Sequence, residues 1–169
     1  MRDGMNITDK ISLVVYDTDK NIVDKRVTYD NTSFWHRLMK IIGIRNKFAN
    51  DLVTSAGVAD LVQLILDRYN YMSVGTGVTA PEVTDTQLES EVLTRATCTK
   101  SVTTTFYTND TVVFSGEFTP SYDVTISECG IHLNSTPSGD IMFARETFVP
   151  VELQAGYTTM ISWQIILTR

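Results

Sequence analysis

Cationic side chains are scarce in the second half of this 169-residue chain. None lies between Lys100 and Arg145, and residues 86–169 carry four Lys/Arg against nine Asp/Glu. Phosphate binding needs a sustained basic face, so no nucleic-acid partner is expected of that half. Histidine and cysteine are scarcer still, limited to His36, His132, Cys98 and Cys129. Cys129 and His132 stand three positions apart on an expected strand and so point to opposite faces. These four residues lack the spacing of a structural zinc site, and no metal or cofactor is expected. The two thiols read as small buried apolar residues rather than as a disulfide. Long apolar runs are missing as well. No stretch approaches the roughly 20 residues of a membrane span, so no membrane partner is expected. Residues 1–10 are polar and mixed in charge, unlike a signal peptide, which implies folding in a cytoplasm. The net charge of −6 favours solubility and repels stray anionic partners.

What is present is ordinary globular material, 43% hydrophobic and 20% charged. That suits one domain over residues 1–169. Residues 1–32 read as a β-hairpin. Ile11, Leu13 and Val15 alternate with Ser12, Val14 and Tyr16, and Asp17-Thr18-Asp19-Lys20-Asn21 is turn chemistry. The second strand is polar enough for a sheet edge. Residues 33–70 read as helical. Over 33–50, Phe34, Leu38 and Ile41 with Trp35, Met39 and Ile42 form a broad apolar face, and Gly43 ends the pattern. Arg37, Lys40, Arg45 and Lys47 give this segment four positive charges and no acid. The bland reading is a helix packing its aromatic side on a sheet. The sharper one makes Phe34, Trp35, Arg37, Lys40, Arg45 and Lys47 a partner-docking segment for an acidic protein face, ahead of lipid or nucleic acid. A second helix starts at Thr54 or Ser55 and carries Val58, Leu61, Val62, Ile65 and Tyr69 on one stripe. A third, short helix is expected from Thr84, where Thr84 and Gln87 fit a capping box.

Residues 71–169 read as strand after strand: 71–74, then 95–108, 111–119, 123–133, 139–148 and 157–167, joined by tight turns. The fold class expected is mainly β, an antiparallel β-sandwich or jelly-roll-like domain with two or three short α-helices.

Catalytic constellations find little support. Gly75-Thr76-Gly77 lacks both the third glycine of a dinucleotide fingerprint and the Gly-Lys-Ser/Thr of a nucleotide loop, and reads as a turn. No Gly-x-Ser-x-Gly elbow occurs. Glu117, Asp123, Glu128 and Glu146 offer carboxylate pairs, as most β-proteins of this charge do. His36 and His132 read as surface or internally satisfied histidines. No catalytic residue is assigned, and the chain is expected not to be an enzyme. Glu128 stands apart, since it shares a strand face with Val124 and Ile126 and a buried acid needs partners. Arg145 and Arg95 are the candidates. Glu91, Arg95, Glu128 and Arg145 are therefore expected to form a structural ion-pair network tying helix to sheet; the alternative is that each is solvated separately. Tyr71, Tyr107, Tyr122 and Tyr157 are the aromatics a sugar platform would use.

Taken in order, several motifs resemble a family of small tailed-phage structural proteins, described as tail-fibre-like or head–tail associated. They are Ser73-Val74-Gly75-Thr76-Gly77, Ala80-Pro81, Thr84-Asp85-Thr86-Gln87-Leu88 with Glu91 and Arg95, and Phe114 to Phe118. After these come Ile126-Ser127-Glu128-Cys129-Gly130-Ile131, Met142-Phe143-Ala144-Arg145-Glu146-Thr147-Phe148 and Ile161-Ser162-Trp163-Gln164-Ile165. The resemblance covers residues 71–167. Segment 33–50 looks like an insertion, and Cys129 stands where the pattern has a small residue such as alanine. The resemblance implies a virion component, assembled in the host cytoplasm, that binds copies of itself and other virion proteins and carries no catalytic residues. A receptor- or glycan-binding module on the virion is the alternative.

Overall fold

The structure, a computed structural model, describes residues 6–16, 20–30 and 53–168. Strands β1 (Asn6–Tyr16) and β2 (Ile22–Asp30) precede helix α1 (Ser55–Arg68). Seven strands follow: β3 (Tyr71–Gly75), β4 (Ala96–Thr97), β5 (Thr99–Thr103), β6 (Thr111–Phe118), β7 (Val124–His132), β8 (Met142–Leu153) and β9 (Thr158–Thr168). They form two antiparallel sheets, ordered β2-β1-β9-β6-β5 and β4-β3-β7-β8, which pack as a β-sandwich. The expected hairpin exists, and its polar second strand is the edge of the first sheet. It is no separate unit, because β1 pairs with β9 along its whole length.

Period-2 alternation accounts for the core. Along β9, Thr159, Ile161, Trp163, Ile165 and Leu167 are buried, and Trp163 lies opposite Phe114 of β6. From the second sheet, Met72 and Val74 of β3 and Cys129 and Ile131 of β7 join the same cluster. Burying each large apolar side chain of this kind contributes about 1.5–3 kcal/mol. Gly116 of β6 lets the sheets approach: a Cβ there would meet Met72 at 3.1 Å. Both cysteines are buried, and they form no disulfide with each other.

Helix α1 starts where its cap dictates. Thr54 Oγ1 accepts the Gly57 N–H at 3.1 Å. Val58 and Val62 are fully buried and Ile65 and Tyr69 pack on the core, but Leu61 faces outward at 39% exposure, so the stripe is narrower than the spacing implies. Lys100 closes the other end, its Nζ donating to Leu66 O at 2.5 Å and to Asn70 Oδ1 at 2.7 Å.

Two expectations are corrected. The single strand over 95–108 is divided: β4 lies in the second sheet, β5 in the first, and the chain crosses between them at Cys98. Residues 104–110 then form a loop. Its backbone N–H groups at Thr105, Phe106 and Tyr107 all donate to the fully buried Asp110 carboxylate, at 2.7–2.8 Å. The helix from Thr84 is also absent, replaced by irregular chain across 76–95. Backbone donors there are engaged by carboxylates, as described below, and so are not free for i→i−4 bonds. Among the described residues α1 is the only helix; the expected helix over 33–50, with Phe34, Trp35, Arg37, Lys40, Arg45 and Lys47, lies outside them.

Candidate functional site

Strands β3 and β7 are buried on both faces, although only one face meets the first sheet. Alternation puts Met72, Val74, Cys129 and Ile131 inward. Ser73, Gly75, Glu128, Gly130 and His132 therefore point outward, with Gly75 opposite Glu128 and Ser73 opposite Gly130. An outward face carrying an acid and an imidazole should be solvated. Here the 76–95 connection and the turn over 133–141 cover it, and two polar clusters hold the cover in place.

Glu128 centres the first cluster and is completely buried. Its Oε1 accepts the N–H groups of Gly77 at 2.9 Å and Ser90 at 2.8 Å. Its Oε2 accepts the Glu89 N–H at 3.1 Å and Arg145 Nε at 2.8 Å. Four donors on one carboxylate satisfy a charge that burial would otherwise make untenable. Arg145 continues outward, giving Nη1 to Asp85 Oδ2 at 2.7 Å and Nη2 to Thr79 O at 3.1 Å. Burial lowers the affinity of the Arg145 guanidinium for its proton, but the bonds to Asp85 and Glu128 outweigh it, and the group sits above its ordinary value. Glu89 Oε2 accepts the N–H groups of Val78 and Thr79, at 3.1 and 3.0 Å, and the Thr79 bonds hold its carboxyl below the usual range. Both glycines of the Gly75-Thr76-Gly77 bend are explained by this acid. A Cβ would fall 2.4 Å from Glu128 Oε1 at position 75 and 2.6 Å from it at 77. Close approach requires glycine here, since neither residue has a positive φ.

Arg95, His132 and Asp140 form the second cluster. Arg95 makes a two-pronged bond to Glu91, at 2.9 and 3.0 Å, and its Nη1 reaches Asp140 Oδ2 at 2.6 Å and Asn134 O at 2.9 Å. Asp140 Oδ2 also lies 2.5 Å from His132 Nδ1, while Oδ1 accepts the Asn134 N–H at 2.9 Å. On the far side of the ring, His132 Nε2 lies 2.6 Å from Ser73 Oγ. Gly130 makes room for the imidazole, for a Cβ there would stand 2.7 Å from Nε2. Burial, and then the Arg95 charge, pull the His132 imidazole below its ordinary value against the opposing pull of Asp140. Burial pushes the Asp140 carboxyl up, but the Asn134 N–H, Arg95 and His132 together bring it below the usual range. The neutral ring then donates from Nδ1 to Asp140 and accepts at Nε2 from the Ser73 hydroxyl.

Ser73–His132–Asp140 therefore has the connectivity of an acyl-transfer triad. Access is what separates it from one. Ser73 and His132 have no exposed surface, and Ser73 lies mid-strand in a regular ladder rather than on a sharp turn. Among the described residues, no group of three or more His, Cys, Asp or Glu is placed to hold a metal.

The structure thus brings Glu128 to Arg145 and Glu91 to Arg95, in two clusters rather than one network. Arg95 turns to Asp140, and Arg145 to Asp85. Sequence reasoning missed Ser73, Asp85, Glu89 and Asp140. The roles of Asp85 and Glu89 depend on the chain crossing 76–95, and those of Ser73 and Asp140 on the pairing of β3 with β7 and on the 133–141 turn; no local pattern announces either. The tyrosine platform is also corrected: Tyr71, Tyr107 and Tyr157 are half-buried, and only Tyr122 is exposed, with its hydroxyl donating to Val92 O at 3.2 Å. Phe106 is the more exposed aromatic, at 65%. Compared with known proteins, the chain matches no family model, no curated protein and no solved structure.

Proposed function

We propose that this chain is a structural component of a tailed virus particle, acting by self-association and by docking on other virion proteins. One observation carries the reading. The glycines and most of the charged residues among the motifs that resemble small tailed-phage structural proteins are spent on one another inside the fold. Gly75 and Gly77 admit Glu128, Glu128 and Asp85 hold Arg145, Glu91 holds Arg95, and Leu88 covers Gly130. A motif set engaged this way stiffens a scaffold. Rigid presentation of a surface is what a particle subunit contributes to its neighbours.

Light scattering on the purified chain tests the self-association half. A defined multimer is expected, with contacts burying more than ~1,000 Å²; a strict monomer at high concentration refutes it. Portal, capsid or tail genes beside the coding gene are expected on the virion half. Labelling of Ser73 by a fluorophosphonate would point instead to a hydrolase. A receptor- or glycan-binding role on the virion is the second reading, favoured by the pinned, half-exposed ring of Tyr122. Specific glycan-array binding abolished by Tyr122→Ala would select it.

A further inference from the structure

We propose that His132 is a proton-operated latch: it holds the 133–141 turn and the 91–95 segment closed over the second sheet while its ring is neutral, and releases them when the ring takes up a second proton. This goes beyond the particle role and does not depend on it. The geometry gives the imidazole two fixed bonds of opposite sense. Asp140 accepts from Nδ1, and Nε2 must accept from Ser73, whose hydroxyl is fully buried. A proton on Nε2 sets two donors face to face at 2.6 Å unless the Ser73 hydrogen turns away into a site where burial makes an unmade bond costly.

The charges around the ring come from every element that covers it. Asp140 and the Asn134 backbone belong to the β7–β8 turn, Arg95 and Glu91 to the β3–β4 connection, and Ser73 to β3; Gly130, Leu88 and Met142 close the rest. Arg95 and His132 share the same Asp140 oxygen. A second cation there divides one acceptor between two positive donors, and Asp140 is also what ties the turn down through the Asn134 N–H. The lowered proton affinity of the buried ring has the same sign. The closed form takes up the proton less readily than an opened, hydrated imidazole, which binds it near pH 6.5, so closure is strongest above that pH and weakens as pH falls below it. The Glu128–Arg145 cluster contains no histidine and supplies an internal control over 76–90.

Hydrogen exchange followed by mass spectrometry on the full chain, corrected for intrinsic rates, tests the latch at pH 7.5 and 5.5. An opened-state value near 6.5 makes opening up to about tenfold more populated at pH 5.5. Segments 133–141 and 91–95 should lose protection, by up to about tenfold, while 76–90 and β9 keep theirs. His132→Gln should abolish the difference between the two pH values. Should that variant fail to fold, the wild-type exchange data decide alone, together with an NMR titration of the His132 ring. Protonation of His132 with the turn still protected overturns the proposal. So does loosening of 76–90 in step with the turn, which would mean general acid unfolding.

Discussion

Replacing Glu128 by glutamine keeps the shape and removes the charge. The carboxylate accepts four hydrogen bonds of 2.8–3.1 Å, two on each oxygen. An amide has one acceptor. Whichever way it is turned, its NH₂ faces two donors, either the Gly77 and Ser90 N–H groups or the Glu89 N–H and Arg145 Nε. Two bonds are lost, their donors stay buried, and the remaining two lose charge assistance. Bonds to a charged group contribute about 1.5–3 kcal/mol each, so with partial relaxation Glu128→Gln should cost about 3–5 kcal/mol. That is a large fraction of the roughly 5–15 kcal/mol that stabilises a typical domain. Urea unfolding should show a lower midpoint at unchanged slope, and the melting temperature should fall by about 6–20 °C. Arg145→Met should cost about 3 kcal/mol, because Glu128 keeps three backbone donors while Asp85 loses the guanidinium. Because the residues act through one contact, the double variant should lose less than the sum by more than about 1 kcal/mol. A loss below about 1 kcal/mol for Glu128→Gln, or strict additivity, would refute the clamp.

Gly77→Ala places a methyl 2.6 Å from Glu128 Oε1 and should destabilise by about 2–4 kcal/mol. Gly139→Ala, with φ +66° and open space around it, should cost only about 1–2 kcal/mol by urea melts, from backbone strain alone. Asp110 draws an acid limb: burial pushes its carboxyl up, but the N–H groups of Tyr107, Thr105 and Phe106 outweigh this and bring it below its usual value. Its stabilisation is therefore present above about pH 4 and lost as pH falls through the folded value. Asp110→Asn should be less stable at pH 7 and show a shallower decline below about pH 4; a decline as steep as wild type's would contradict this. Burial pushes the Cys98 thiol up to about 12, so a thiol reagent at pH 8 should modify it only after unfolding. Rapid reaction of the native protein would place that thiol at the surface.

Local rules made much of this protein legible before its fold was known. Alternation in Thr159, Ile161, Trp163, Ile165 and Leu167 marks a strand with one buried face, because successive side chains must point to opposite sides. Thr54 marks a helix start, because its hydroxyl can take an orphan N–H. Glu128 among apolar neighbours announces that a partner exists, because a lone buried charge is untenable. Which partner it takes, and through which cover, is a different kind of information. The 76–95 chain, the division of 95–108 between two sheets and the meeting of Ser73, His132 and Asp140 join residues up to 67 positions apart. Contacts of that range exist only once distant strands have paired and a loop has crossed them. The capping box at Thr84 yields for the same reason: a helix there offers one hydrogen bond per residue, and a buried carboxylate waiting on the adjacent sheet binds the same N–H groups more strongly.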